Sequence, residues 1–125
     1  MSRTPTDDEL LARADAIAGR AYAPYSGFNV GCALLLRDGS VVCGVNVENA
    51  AYPLGVCAER TAFSRAIVEG ARPGDFAVAA ITASPCGGCR QWHVEFKVDR
   101  VVFANNDGEL VEYTPDELLP DTFVL

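Results

Sequence analysis

The sequence predicts an α/β fold, a three-layer α/β/α arrangement built on a five-stranded mixed sheet. Three observations carry this expectation. Strand-like apolar runs alternate with stretches of helical period, in the order α-β-β-α-β-α-β-β-α. Asp38-Gly39, between the first two runs, is a hairpin signal that makes those strands antiparallel neighbours. Phe76 to Ala83 is an apolar run like that of a strand covered on both faces, so helices are expected on both sides of the sheet.

The elements follow in order. Thr6-Asp7-Asp8-Glu9 reads as a capping box, after which Leu10, Leu11, Ala14, Ile17 and Ala18 recur at helical spacing. Gly19 weakens the end of that helix and Pro24 closes it off. Phe28 to Leu36 and Val41 to Val47 are the two hairpin strands. Tyr52-Pro53-Leu54-Gly55 is a loop. Cys57 to Glu69 reads as a helix stopped by Gly70. Pro85 breaks the chain after the buried strand, and Cys86 to Phe96 can form the next helix. Arg100 to Ala104 and Leu110 to Tyr113 are strands joined by the turn Asn105-Asn106-Asp107-Gly108. Pro115 to Leu119 suits a short helix with Thr114 as its cap.

Length and composition bound the function. A chain of 125 residues is expected to form a single domain, 1–125, and half its residues are apolar, enough for a core without disulfides. No apolar run approaches the roughly 20 residues of a membrane span, and the N-terminus lacks the apolar core of a secretion signal. Both point to a cytoplasmic protein that is not membrane-bound. Net charge is -7, and no basic stripe is visible, which argues against nucleic acid and for a small substrate. Five cysteines, an odd count, suit ligands or core residues in a reducing compartment better than a disulfide framework.

The chemistry lies in Cys57-Ala58-Glu59-Arg60 and Pro85-Cys86-Gly87-Gly88-Cys89-Arg90. Three thiolates, from Cys57, Cys86 and Cys89, are a ligand set for Zn²⁺ that leaves the fourth tetrahedral position open to water, as in a catalytic site. Glu59, two residues past one ligand, is placed to handle a proton without ligating. Each ligand segment falls at a helix start, where free N–H groups favour thiolate over thiol. A redox pair, a closed structural site or two small core residues are the other readings of Cys86-x-x-Cys89. A closed site would need Cys32 or Cys43, both of which lie in strands and read as core. Three thiolates give zinc a net negative surround, which a nearby cation would offset; Arg60 and Arg90 are the candidates, with a solvated helix arginine as the alternative for each.

With these residues, Tyr25-Ser26-Gly27-Phe28-Asn29-Val30-Gly31, Asn46-Val47-Glu48-Asn49-Ala50, Ser84-Pro85, Glu95-Phe96 and Leu118-Leu119-Pro120 make the chain resemble, over nearly its whole length, the small homotetrameric cytidine deaminases of pyrimidine salvage. That resemblance implies zinc-dependent hydrolysis of cytidine and 2′-deoxycytidine to the uridines and ammonia, one Zn²⁺ per subunit, and a homotetramer with active sites at subunit interfaces. It implies Cys57, Cys86 and Cys89 as ligands and Glu59 as proton shuttle. Asn46 and Glu48 would bind the ribose 3′-hydroxyl, and Phe28 would wall the base, with a core Phe as the alternative. The Ala58 N–H and Ser84 carbonyl would meet the base. Phe123 would reach a neighbouring subunit's pocket, or else pack the tail on its own core. A deaminase of a nucleoside antibiotic or modified cytidine, using the same chemistry, is the alternative function. The family resemblance leaves Trp92-His93-Val94 unmatched, since aliphatic residues are more usual there; His93 is expected on the helix surface or at a subunit seam.

Overall fold

The computed structural model describes residues 3–125; Met1 and Ser2, the first two residues of the expected domain, lie outside the described residues. The chain runs α1 (Asp7–Ala18), β1 (Gly31–Leu36), β2 (Val41–Val45), a 3-10 turn (Tyr52–Leu54), α2 (Ala58–Val68), β3 (Phe76–Ile81), α3 (Gly87–Glu95), β4 (Arg100–Ala104), β5 (Leu110–Tyr113) and α4 (Pro115–Leu118). The strands form one five-stranded mixed sheet in the order β2-β1-β3-β4-β5. β1 pairs antiparallel with both β2 and β3, β3 pairs parallel with β4, and β4 pairs antiparallel with β5.

Side chains alternate across a strand, so each strand feeds two cores. Ala33, Leu35, Val78, Ala80 and Val102 face α1, which sets Leu10 and Ala14 on them. Cys32, Leu34, Ala79, Ile81, Val101 and Phe103 face the other way, onto Ala62, Phe63 and Ala66 of α2 with Trp92 of α3 packed alongside. This is the three-layer arrangement expected from the sequence. The capping box also forms: the Thr6 hydroxyl accepts from the Glu9 N–H at 3.2 Å, and the Glu9 carboxylate accepts from the Thr6 N–H at 3.3 Å.

The structure shortens several elements, each for a local reason. Residues 28–30 are not strand: the Val30 N–H donates to Asn46 Oδ1 at 2.8 Å, and Asn46 Nδ2 donates to the Phe28 carbonyl at 2.9 Å, so a side chain takes the place of ladder partners. β2 stops at Val45 because Val47 exchanges both backbone bonds with Val56 (2.9 Å each). α2 and α3 begin one residue late because Cys57 and Cys86 are extended N-cap residues.

Two glycines set how closely the helices approach the sheet. A Cβ on Gly31 would lie 1.9 Å from the Ala14 carbonyl oxygen of α1. A Cβ on Gly44 would lie 2.4 Å from the Ala62 nitrogen and 2.6 Å from the Ala58 oxygen of α2. In both cases the obstacle is backbone, which cannot swing aside. Gly44→Ala and Gly31→Ala are each expected to lower stability by about 1–3 kcal/mol through overpacking, read from denaturant midpoints. Only Gly44→Ala should also weaken metal binding, measured by competition with a chelator, because only α2 carries Cys57 at its start.

Candidate metal centre and pocket

Cys57 and Cys86 cap two different helices, and Cys89 lies in the first turn of α3. The fold brings the three sulfurs within 4.8 Å of one another, with Cys57 and Cys86 Sγ atoms 3.7 Å apart. Tetrahedral zinc with Zn–S bonds of about 2.3 Å places its sulfurs about 3.8 Å apart, which the Cys57–Cys86 spacing matches. Cys86 Sγ also accepts from the Cys89 N–H at 3.4 Å, which fixes the Cys-x-x-Cys turn. Cys32 and Cys43 do not join the cluster: Cys32 is fully buried in the core facing α2, and Cys43 packs against the core under α1. All five cysteines are free.

The electrostatics call for a cation. The Cys89 thiol, hydrogen-bonding to Cys57, is the main cause that lowers the Cys57 pKa to about 6; burial and the Glu59 charge oppose this, and Cys86 and Arg60 add to it. Cys89 is driven the other way, first by Cys57 and then by burial. The Cys57 thiolate therefore forms readily and disfavours charge on Cys89, and three thiolates together need positive charge among them. Arg60 supplies some: its Nη2 reaches Cys86 Sγ at 3.9 Å. Burial works against the Arg60 charge, but the three cysteines outweigh it and hold its pKa above the ordinary value. Gly88 makes room for this contact, since a Cβ there would lie 2.2 Å from Arg60 Nη2. Arg90 does something else. Its Nε donates to the Pro85 carbonyl at 3.0 Å and its Nη1 to the Leu118 carbonyl at 2.9 Å, tying the ligand loop to the end of α4.

Beside the sulfurs lies a pocket of about 310 Å³, lined by Cys57, Glu59 and Cys86 together with Phe28, Asn46, Glu48, Ala58 and Ser84. That volume falls at the lower end of the range usual for small-ligand sites. Phe28 is 62% exposed, so it is a pocket wall and not a core residue. Ala58 is the first residue of α2, where N–H groups have no intrahelical acceptor. Glu59 is buried, with Oε2 sealed from solvent and unpartnered among the described residues.

Asn46 and Glu48 line the pocket but also hold its loop. Glu48 Oε1 accepts from the N–H groups of Tyr25 (3.0 Å) and Ser26 (3.1 Å), and the Ser26 hydroxyl donates to Oε2. The Ser26 hydroxyl is the main cause that keeps the Glu48 carboxyl below its ordinary pKa, followed by those backbone bonds. Phe123 does not join the pocket of its own chain and does not pack on the core: it is 73% exposed, its backbone carbonyl held by Gln91 Nε2 at 3.1 Å. The expectation of a surface His93 is overturned. Cys89 faces inward and His93 follows one turn later on the same helix face, so its ring is fully buried. Sequence reading also missed Tyr52, which stands at the pocket rim on the 3-10 turn; an aromatic beside Pro53 in a predicted loop was the available signal.

The sequence profile described as "Cytidine and deoxycytidylate deaminase zinc-binding region" matches residues 4–105. A cytidine deaminase of Halalkalibacterium halodurans is 46% identical, over 94% of this chain and 94% of its own length. One from Sporosarcina psychrophila is 42% identical, over 93% of this chain and 90% of its own. The crystal structure of a cytidine deaminase from Burkholderia pseudomallei superposes with a TM-score of 0.89 at 44% identity, covering 95% of this chain and all (100%) of that one.

Single replacement of Cys57, Cys86 or Cys89 by Ala should abolish stoichiometric zinc by elemental analysis and lower the melting temperature with it. Cys32→Ala and Cys43→Ala should retain one zinc per chain; loss in either would mean a closed four-sulfur site.

Proposed function

The chain belongs to the family of zinc-binding cytidine and deoxycytidylate deaminases, and from that premise we infer that it hydrolyses cytidine to uridine and ammonia. The observation that carries this reading is a buried carboxylate, Glu59, two residues from a metal-binding cysteine and facing the pocket that the cluster adjoins. The similar proteins are cytidine deaminases, and nothing in the pocket favours a nucleoside antibiotic over the nucleoside itself.

Cys57, Cys86 and Cys89 would hold the zinc, which when bound would lower the pKa of water to about 7 and so supply a nucleophile at neutral pH. Glu59 takes the proton of the attacking water and delivers it to N3 of the base, which makes C4 electrophilic. It then carries the second proton to the amino group, which leaves as ammonia while the oxygen stays on C4. The free Ala58 N–H at the start of α2 suits cytosine O2, and the Ser84 carbonyl suits the amino group. Phe28 covers the base. Asn46 and Glu48 receive the ribose 3′-hydroxyl, so 2′-deoxycytidine fits the same contacts. Arg60 offsets the thiolate charge that would otherwise make zinc a weaker Lewis acid.

The whole chain, 1–125, forms one deaminase domain. It assembles as a homotetramer in which the exposed Phe123 reaches a neighbouring pocket. It works on free nucleosides in cytoplasmic pyrimidine salvage. Free cysteines fit a reducing compartment, a net charge of -7 disfavours a polynucleotide substrate, and among the described residues no helix is long and apolar enough to cross a membrane.

Zinc-loaded protein should convert cytidine to uridine, followed by ultraviolet absorbance, and Glu59→Ala should keep its zinc while turnover falls by at least about 10²–10⁴-fold. Near-wild-type rates in that variant would refute the role of Glu59. Arg60→Gln should keep zinc and lose about ten- to a hundredfold in turnover, the scale of one charge-assisted hydrogen bond of about 1.5–3 kcal/mol; an unchanged rate removes its charge-compensating role.

A further inference from the structure

His93 is the buried group that the deamination chemistry leaves unused. Its ring is fully enclosed on the inward face of α3, one turn past Cys89. Among the described residues neither ring nitrogen has a hydrogen-bond partner, and neither does Glu59 Oε2. These orphans face one another: His93 Nε2 lies 3.7 Å from Glu59 Oε2, with the two side chains 0% and 3% exposed. Buried polar atoms are nearly always paired, so adjoining orphans in one enclosure need a physical account.

The surroundings fix both partners. The imidazole packs edge-on against Phe63, with ring centroids 5.4 Å apart at 71°. Phe63 is itself stacked on Phe96 and set edge-on to Phe76, so the ring plane of His93 has little freedom. The Cys32 thiol is near enough to feel Glu59; burial first, and the Glu59 charge second, push its pKa well up, leaving it a weak neutral donor. A neutral imidazole carries its proton on one nitrogen or the other, and a proton on Nε2 is the one that lies beside the unpaired Glu59 Oε2. The 3.7 Å separation is longer than a hydrogen bond, and catalytic hydrogen bonds often reach full strength only in the complex with substrate.

We propose that His93 is a positioning residue for Glu59: its Nε2–H holds the sealed carboxylate oxygen Oε2 and so turns the other oxygen toward the pocket, where protons are exchanged. The consequence for turnover rests on the deaminase reading, whereas the contact itself does not. An aliphatic residue at this position would leave the carboxylate free to rotate about its last bond. The ground-state contacts to base and ribose lie elsewhere, so the loss would fall on kcat and spare KM.

His93 is the only histidine in the chain, which makes isotope-labelled histidine a one-residue probe. Nuclear magnetic resonance should find a proton on Nε2, and its resonance should move in the Glu59→Ala variant. A neutral ring protonated on Nδ1, or an Nε2 signal indifferent to Glu59→Ala, would overturn the proposal. In zinc-loaded protein, His93→Leu should lower kcat about 10- to 100-fold with KM changed by less than about twofold and zinc content intact. His93→Gln, which keeps an N–H donor at the end of the side chain, should recover most of that loss. Unchanged kcat in His93→Leu, or an equal loss in both variants, would reduce His93 to packing. If His93→Leu does not fold, the spectrum of the wild-type protein decides. If wild-type protein does not act on cytidine, the deaminase reading fails and the spectrum still tests the contact.

Discussion

Three sulfurs within 4.8 Å of one another repel once deprotonated, and much of the fold exists to hold them together. Cys57 is far from the Cys86-x-x-Cys89 turn in sequence, so a tertiary arrangement must bring them into register. It does so by ending two segments at one point: the start of α2 and the start of α3. Both ligand-bearing residues there are N-caps in extended conformation. The unpaired N–H groups of both helix starts favour negative charge at the place where it accumulates. Arg60, admitted by the missing side chain of Gly88, adds a full positive charge at the rim of the cluster. The Arg90 bonds to Pro85 and Leu118 fix the loop from which the second ligand pair springs.

The elements whose residues carry their own periodicity were legible in the sequence. The Thr6 capping box, the Thr114 cap and the Asp38-Gly39 turn are local signals and are where the sequence placed them, and β3 is the nearly buried strand expected, though it ends at Ile81 and not Ala83. The clustering of the three cysteines was legible too, because ligand spacing and helix starts are also local. Residues 28–30 were not: their apolar character is that of a strand, but it faces a pocket, and their backbone is tied by Asn46, sixteen and eighteen positions away from its partners. His93 was misread for a related reason. A polar residue in a short helix reads as surface, and only the inward direction of Cys89, set by the cluster, turns that face of α3 toward the core.

The same residues serve the pocket and the loop that covers it. Both polar ends of the Asn46 amide bond the backbone of residues 28–30, and both Glu48 oxygens bond residues 25–26. The polar lining that these two side chains give the pocket is therefore coupled to the shape of the segment that presents Phe28. A change at either position alters the wall of the pocket as well as its polar contacts, so the two effects cannot be separated by a single substitution.

The seam between α2 and the sheet is lined by Gly44, Ala58 and Ala62, with backbone close to backbone. Such a seam has no slack to absorb a larger residue. The floor of the pocket, built on the first turn of α2, is for that reason closed to gradual change: a larger residue in the seam would shift the helix start that carries Cys57. The rim is different, because Phe28, on irregular backbone, and Tyr52, on the 3-10 turn, are exposed. Divergence in what the pocket accepts must be written in those loops, while the reaction itself stays fixed beneath them.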